Sequence, residues 1–157
     1  MNAAGIIEKL KLVPLAGEGG YFRRTYAASE KMGARPCSTA IYYLVTPESF
    51  SSLHRLQQDE MFHFYLGDPV EMLQITSEGV RSLRTLGSDL SAGQEPQVLA
   101  PGKVWQGTRL VGDGKWALLG CTVSPGFEYA DNEIPERAKL LELFPQHAEW
   151  ITKFTHA

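Results

Sequence analysis

The apolar positions of this chain follow two different periods. Near the start, Ile6, Ile7 and Leu10 share one face, which predicts a short amphipathic helix over 2–12 ended by Pro14. Gly17-Glu18-Gly19-Gly20 follows and is too glycine-rich for the interior of a regular element. From Tyr21 to about residue 123 the residues become β-branched and aromatic. The alternation predicts short strands at 21–27, 39–45, 52–56, 61–66, 70–76, 80–86, 97–100, 103–110 and 116–123. Turn residues separate them: Gly67-Asp68-Pro69, Ser77-Glu78-Gly79, Pro101-Gly102 and Gly112-Asp113-Gly114. Many short strands at near-even spacing predict a sandwich or closed barrel. The run Ala40 to Val45 is apolar throughout, so it needs cover on both faces, from the opposite sheet and from a helix or second subunit. After Pro125-Gly126 helical spacing returns. Leu140, Leu141 and Phe144 predict a helix over 134–144; Trp150, Ile151 and Phe154 predict another after Pro145, both packed outside the barrel.

Composition narrows the class. The 157 residues fit one domain, with no repeat, low-complexity tract or linker to divide residues 1–157. Hydrophobic residues at 43% and charged residues at 21% are a globular balance, with core enough to need no disulfide. A net charge of -3 without a basic stripe argues against a nucleic-acid partner. No apolar run approaches a membrane span, and the first residues carry no basic, apolar leader pattern, so the expectation is no membrane partner and a cytoplasmic location. Cys37 and Cys121 lie far apart and read as two reduced core residues.

The candidate chemistry sits between Ser51 and Pro69, in SSLHRLQQDEMFHFYLGDP. Residues two apart on a strand share a face, so His54 and Leu56 both point inward. A turn at 57–59 reverses the chain, and Glu60 opens the next strand toward the same interior. This spacing resembles the first motif of the cupins, in which a His is followed two residues later by a second His, then by a Glu and a Gly; here Leu56 holds the second His place, and Gly67 the Gly place. Pro101-Gly102-Lys103-Val104-Trp105-Gln106 resembles the second motif, with Lys103 at its Gly and Gln106 at its His.

Taken together, Gly19-Gly20-Tyr21-Phe22-Arg23, Thr25-Tyr26, Thr39-Ala40-Ile41-Tyr42-Tyr43, Asp59-Glu60, His63-Phe64-Tyr65, Pro96-Gln97 and Gly120-Cys121-Thr122-Val123 resemble a family of uncharacterised small cupins over about residues 5 to 155. Two departures are Ala16-Gly17 in place of a His-Pro pair and Arg24 in place of a Glu. The resemblance implies an all-β cupin fold, a double-stranded β-helix or jelly-roll barrel with short N- and C-terminal helices. It also implies a homodimer built partly by the N-terminal strand, and no established activity. A more distant similarity to sugar-nucleotide 3,5-epimerases rests on Leu53-His54 and Gly20-x-Phe22.

Three functions stay open on these residues. The first is a pocket that binds a small polar metabolite, sugar-like or carboxylate-bearing, without turnover. The second is a metal-independent epimerase or isomerase, in which His54 is the general base and Glu60 orients it or contacts substrate. The third is a metal-dependent enzyme with His54, Glu60 and Gln106 as ligands. One imidazole, one carboxylate and one amide make a thin shell, so a divalent metal is not favoured. The expected ligand-binding residues are His54, Glu60, Gln106 and Gln97, with Phe62 and Phe64 as an apolar wall or plain core. By strand parity His63 and Trp105 face away from the pocket, in packing or interface roles. Arg23, Arg24 and Arg55 read as surface or interface groups able to meet an anion. His147 and His156 are expected in an exposed helical tail.

Overall fold

A computed structural model describes residues 1–156. Helix α1 (Ala3–Leu10) starts where the Asn2 side chain accepts from Gly5 N at 3.0 Å. It stops at Lys11, whose φ of 53° is left-handed. The helix is therefore ended by backbone geometry ahead of Pro14, which instead lies in strand β1 (Val13–Pro14). The strands that follow are β2 (Tyr21–Ala27), β3 (Lys31–Met32), β4 (Arg35–Pro36), β5 (Thr39–Val45), β6 (Ser51–His54) and β7 (Asp59–Gly67). They continue with β8 (Val70–Ile75), β9 (Arg81–Leu86), β10 (Gln97–Ala100), β11 (Trp105–Leu110) and β12 (Ala117–Ser124). Helices α2 (Arg137–Leu143) and α3 (Ala148–Lys153) close the described chain. The first begins three residues later than the periodicity predicts, because Glu133 forms a β-bridge with Arg55.

Two antiparallel sheets make the barrel. The larger has the order β1-β2-β5-β12-β7-β10 and the smaller β6-β11-β8-β9; β3 and β4 form a separate hairpin. Side-chain alternation sorts the apolar residues into three layers. Between the sheets, Tyr43, Val45, Phe62, Leu119 and Cys121 of the larger meet Val70, Met72, Leu86 and Leu110 of the smaller. The outward residues Leu53, Leu73, Ile75 and Trp105 of the smaller sheet are covered by Leu140, Phe144, Ile151 and Phe154 of the C-terminal helices. On the outside of the larger sheet, Leu44 and Leu118 are covered by Ile6 and Leu12. The apolar strand β5 thus gets its second cover from α1 of its own chain.

The tail histidines are not free. His147 Nε2 lies 2.8 Å from Gly79 O, and His156 stacks on Phe50 and bonds its carbonyl at 3.0 Å. No helix among the described residues is long and apolar enough to cross a membrane.

Phe154 is fully buried under the smaller sheet, and its carbonyl accepts from Leu53 N at 2.8 Å. Truncating a buried aromatic loses transfer energy and leaves a cavity. Phe154→Ala is therefore expected to cost about 3–5 kcal/mol in a denaturant titration, whereas truncation of exposed Leu143 should leave the midpoint nearly unchanged.

Candidate functional site

One end of the barrel interior opens to solvent as a pocket of about 530 Å³, its mouth included. Its walls are apolar: Leu15, Phe22, Ile41, Leu56, Phe62, Val123 and Phe127. Its floor is not. Glu18, Tyr43, His54, Glu60 and Cys121 line it, all buried. His54 reaches it from the smaller sheet and Glu60 from the larger, so the two motif residues face one cavity from opposite sheets.

Glu18 comes from the glycine-rich turn, where Gly17, Gly19 and Gly20 have φ of 81°, 103° and 73°. The turn is pressed onto the barrel. A Cβ at Gly19 would stand 2.2 Å from Phe50 O, and one at Gly20 2.5 Å from the Tyr43 hydroxyl. Only glycine offers both the left-handed backbone and the space. The turn delivers the Glu18 carboxylate beneath β5 and β6. Its Oε1 accepts from Ser51 Oγ at 2.8 Å, with the Tyr43 hydroxyl at 3.2 Å, and its Oε2 accepts from Asn132 Nδ2 at 3.1 Å. The Tyr43 hydroxyl also lies 2.7 Å from Gly19 O. Burial, and then the charge of Glu18, push its ionisation well above the usual tyrosine range, so it stays a neutral donor.

The His54 tautomer follows from its partners. Nδ1 is 2.8 Å from Ser52 O, and a carbonyl only accepts, so Nδ1 carries a proton. Nε2 is left facing Glu18 Oε1 at 3.7 Å and can accept or donate a proton. Glu60 is buried with little support: Gln106 Nε2 donates to its Oε2 at 2.8 Å. Burial raises its pKa to about 7 and the charge of Glu18 pushes the same way; a charged His54 and the hydrogen bonds from Gln106 and Cys121 oppose the rise. Cys121 is held well above the ordinary thiol range by burial and by Glu60 and Glu18, so it is a neutral thiol.

The expected site residues separate. His54 and Glu60 form the floor and Phe62 a wall. Gln106 is buried behind Glu60 and acts on the pocket through that carboxylate. Phe64 does not line the pocket. It packs half-buried against the edge of the core, beyond the part of β7 that faces the cavity. Gln97 faces outward, exposed. Its strand register sets it opposite His63, and its amide meets His63 Nδ1 at 3.0 Å. His63 itself is on the outer face, beside Thr122, and Trp105 is buried under the C-terminal helices.

Sequence reasoning did not place Glu18, Thr39, Tyr43 and Cys121, polar lining residues, in the pocket; Arg24, read as able to meet an anion, stands at its exposed mouth. Arg24 Nη2 donates to Phe127 O at 3.1 Å. That bond is one of several that tie the segment 125–133 across the rim. Others are Arg35 to Gly126 O and Asp131, Gln58 to Asp131, and Arg55 to Glu133.

The proposed metal ligands fit a divalent ion poorly. An ionised carboxylate only accepts, so the Gln106 amide nitrogen faces Glu60 and its oxygen points elsewhere, buried with no partner among the described residues. No three His, Cys, Asp or Glu side chains among the described residues converge to hold a metal.

Against known proteins, the family model described as Cupin superfamily (DUF985) matches residues 4–135. The chain belongs to this family. The cupin is 35% identical to protein SO0799 of Shewanella oneidensis, covering 99% of this chain and 98% of that one with a TM-score of 0.95. A hypothetical protein from Leishmania major is 33% identical over the whole of both chains, with a TM-score of 0.93. The uncharacterised yeast protein YML079W, from Saccharomyces cerevisiae, is 25% identical over 133 residues, 73% of this chain. The cupin spans 66% of that yeast protein's length.

Two outcomes are expected of this floor. A carboxylate that is easier to protonate when folded binds more protons in the native state, so its burial costs stability as pH rises from 4.5 through about 7. Glu60→Gln should therefore be more stable than the parent at pH 8 by about 3 kcal/mol. The gap should close toward pH 4, as read by urea midpoints. Gly20→Ala should lower stability by more than about 1 kcal/mol and displace Tyr43, visible as altered tyrosine near-ultraviolet dichroism.

Proposed function

We propose that this cupin binds a small molecule with an apolar body and a single polar, hydrogen-bond-donating head, seated body against the walls and head on the floor. The observation that carries this is the distribution of unused polarity in the pocket. Thr39 Oγ1 already accepts from Phe127 N at 2.9 Å, and the Arg24 guanidinium bonds the Phe127 carbonyl. The Glu18 carboxylate has its donors in Ser51, Tyr43 and Asn132. Free capacity is concentrated at His54 Nε2 and Glu60, both acceptors in their basic forms.

The lining favours this ligand over a sugar. A polyhydroxylated ring would set its remaining hydroxyls against Phe22, Ile41, Leu56 and Val123, and each unpaired group costs about 1–3 kcal/mol. A carboxylate head would meet Glu18 and Glu60, a like-charge contact in a buried place. A concave, mostly apolar cavity with a few convergent polar groups is the usual form of a small-molecule site.

The test is a thermal-shift screen of small aromatic and aliphatic compounds, followed by calorimetry on the parent, Ile41→Trp and Tyr65→Ala. Ile41 is a half-buried wall residue, and an indole there takes up cavity space while removing none of the polar floor groups. Compounds that stabilise the parent should lose about tenfold or more in affinity for Ile41→Trp and bind Tyr65→Ala unchanged. Binding that survives Ile41→Trp and fails in Tyr65→Ala would place the ligand on the outer face of the larger sheet and overturn the reading.

A further inference from the structure

The polar head admits a finer assignment, which rests on the pocket being a ligand site. We infer that the pocket selects a primary amine, held as an ammonium ion by Glu60 with Phe22 and Phe62 against its carbon body.

Three features of the geometry converge. First, the floor carries two buried carboxylates from different parts of the chain, Glu18 from the turn before β2 and Glu60 from β7. Among the described residues no Lys or Arg lines the pocket except Arg24, which is exposed at the mouth and screened by water. Second, the two carboxylates are unequally served. Glu18 accepts from Ser51 and Asn132 and shares the Tyr43 proton with Gly19 O, whereas Glu60 is met by one amide and a neutral thiol. A buried carboxylate short of donors is completed by a ligand that brings several N–H groups and a positive charge, since charge-assisted bonds are about twice as strong as neutral ones. Third, the aromatic side chains Phe22, Phe62 and Phe127 line the same pocket, and aromatic rings attract cations. A neutral hydroxyl offers one donor and no charge, so it satisfies this floor less well.

The assignment has a consequence in pH. The groups facing Glu60 are His54 on β6, Glu18 on the turn, and Cys121 on β12, with Gln106 behind on β11. Burial raises the Glu60 pKa to about 7, so an ammonium ligand drives off its proton on binding. Acid therefore competes with the amine.

The experiment is calorimetry of the full chain with phenethylamine, phenethyl alcohol and phenylacetate, which share a body and differ in the head. At about pH 8 the amine is expected to bind about tenfold or more tighter than the alcohol, with phenylacetate weakest. Its affinity should fall about tenfold between pH 8 and pH 6, with proton release detected from buffers of different ionisation heat, while the alcohol's affinity stays flat. Glu60→Gln should reduce the amine's advantage to nearly nothing. The comparison of heads on the parent protein stands whether or not that variant folds. If the alcohol or the acid binds as tightly as the amine, the amine assignment is wrong and the pocket reading survives. If Ile41→Trp binds the amine as well as the parent does, or if none of the three binds, the pocket reading fails with it.

Discussion

The Glu18 carboxylate is the knot on which this end of the barrel depends. It takes a hydrogen bond from Ser51 in the smaller sheet and lies against Tyr43 in the larger, with a third bond from Asn132 in the segment that crosses the rim. Two sheets and a strap are thus tied by one side chain. Removing the carboxylate would leave the buried Ser51 hydroxyl and the partly buried Asn132 amide without this partner, each at a cost comparable to a net hydrogen bond or more. The knot can exist only because the turn carrying Glu18 is glycine at the two places where it touches Phe50 and Tyr43.

Glu18 and Glu60 show how environment separates two identical side chains. Glu18 is surrounded by donors and serves as structure. Glu60 is equally buried but thinly supported, and its proton affinity rises toward neutrality. Supporting one carboxylate fully and the other poorly leaves a buried acid with spare hydrogen-bonding capacity in a barrel that is otherwise held together by ordinary packing.

Much of the fold was legible because period-two alternation survives in short β-branched strands, and the turns between them carry glycine and proline. The same alternation placed His54, Glu60 and Phe62 inward and His63 outward. Alternation gave no direction for Gln97, which depends on the strand opposite; the pairing of residue 97 with residue 63 turns it to the outside. Phe64 has the right parity but sits too far along β7 for its face to matter to the cavity. The turn carrying Glu18 has no period at all, so its carboxylate gave no signal beyond an acid among glycines. Cys121 read as a small core residue. It is one, and it is also part of the floor, because the core runs continuously into the pocket. The helix boundaries were set by a left-handed Lys11 and by a bridge from Glu133, neither of which follows from apolar spacing.

The walls and the floor are built by different means. The floor depends on a turn and on hydrogen bonds spanning elements far apart in the chain, so its members are mutually committed. Most walls are strand side chains, Ile41, Phe62 and Val123 among them, each projecting from a ladder whose backbone bonds do not depend on side-chain size. A change of one such residue alters the shape of the cavity and leaves its chemistry intact. If the pocket holds a ligand as proposed, the breadth of accepted molecules could drift while the recognised functional group stayed fixed, and a designer seeking new specificity in this scaffold would have four strands to rewrite before touching a single polar atom.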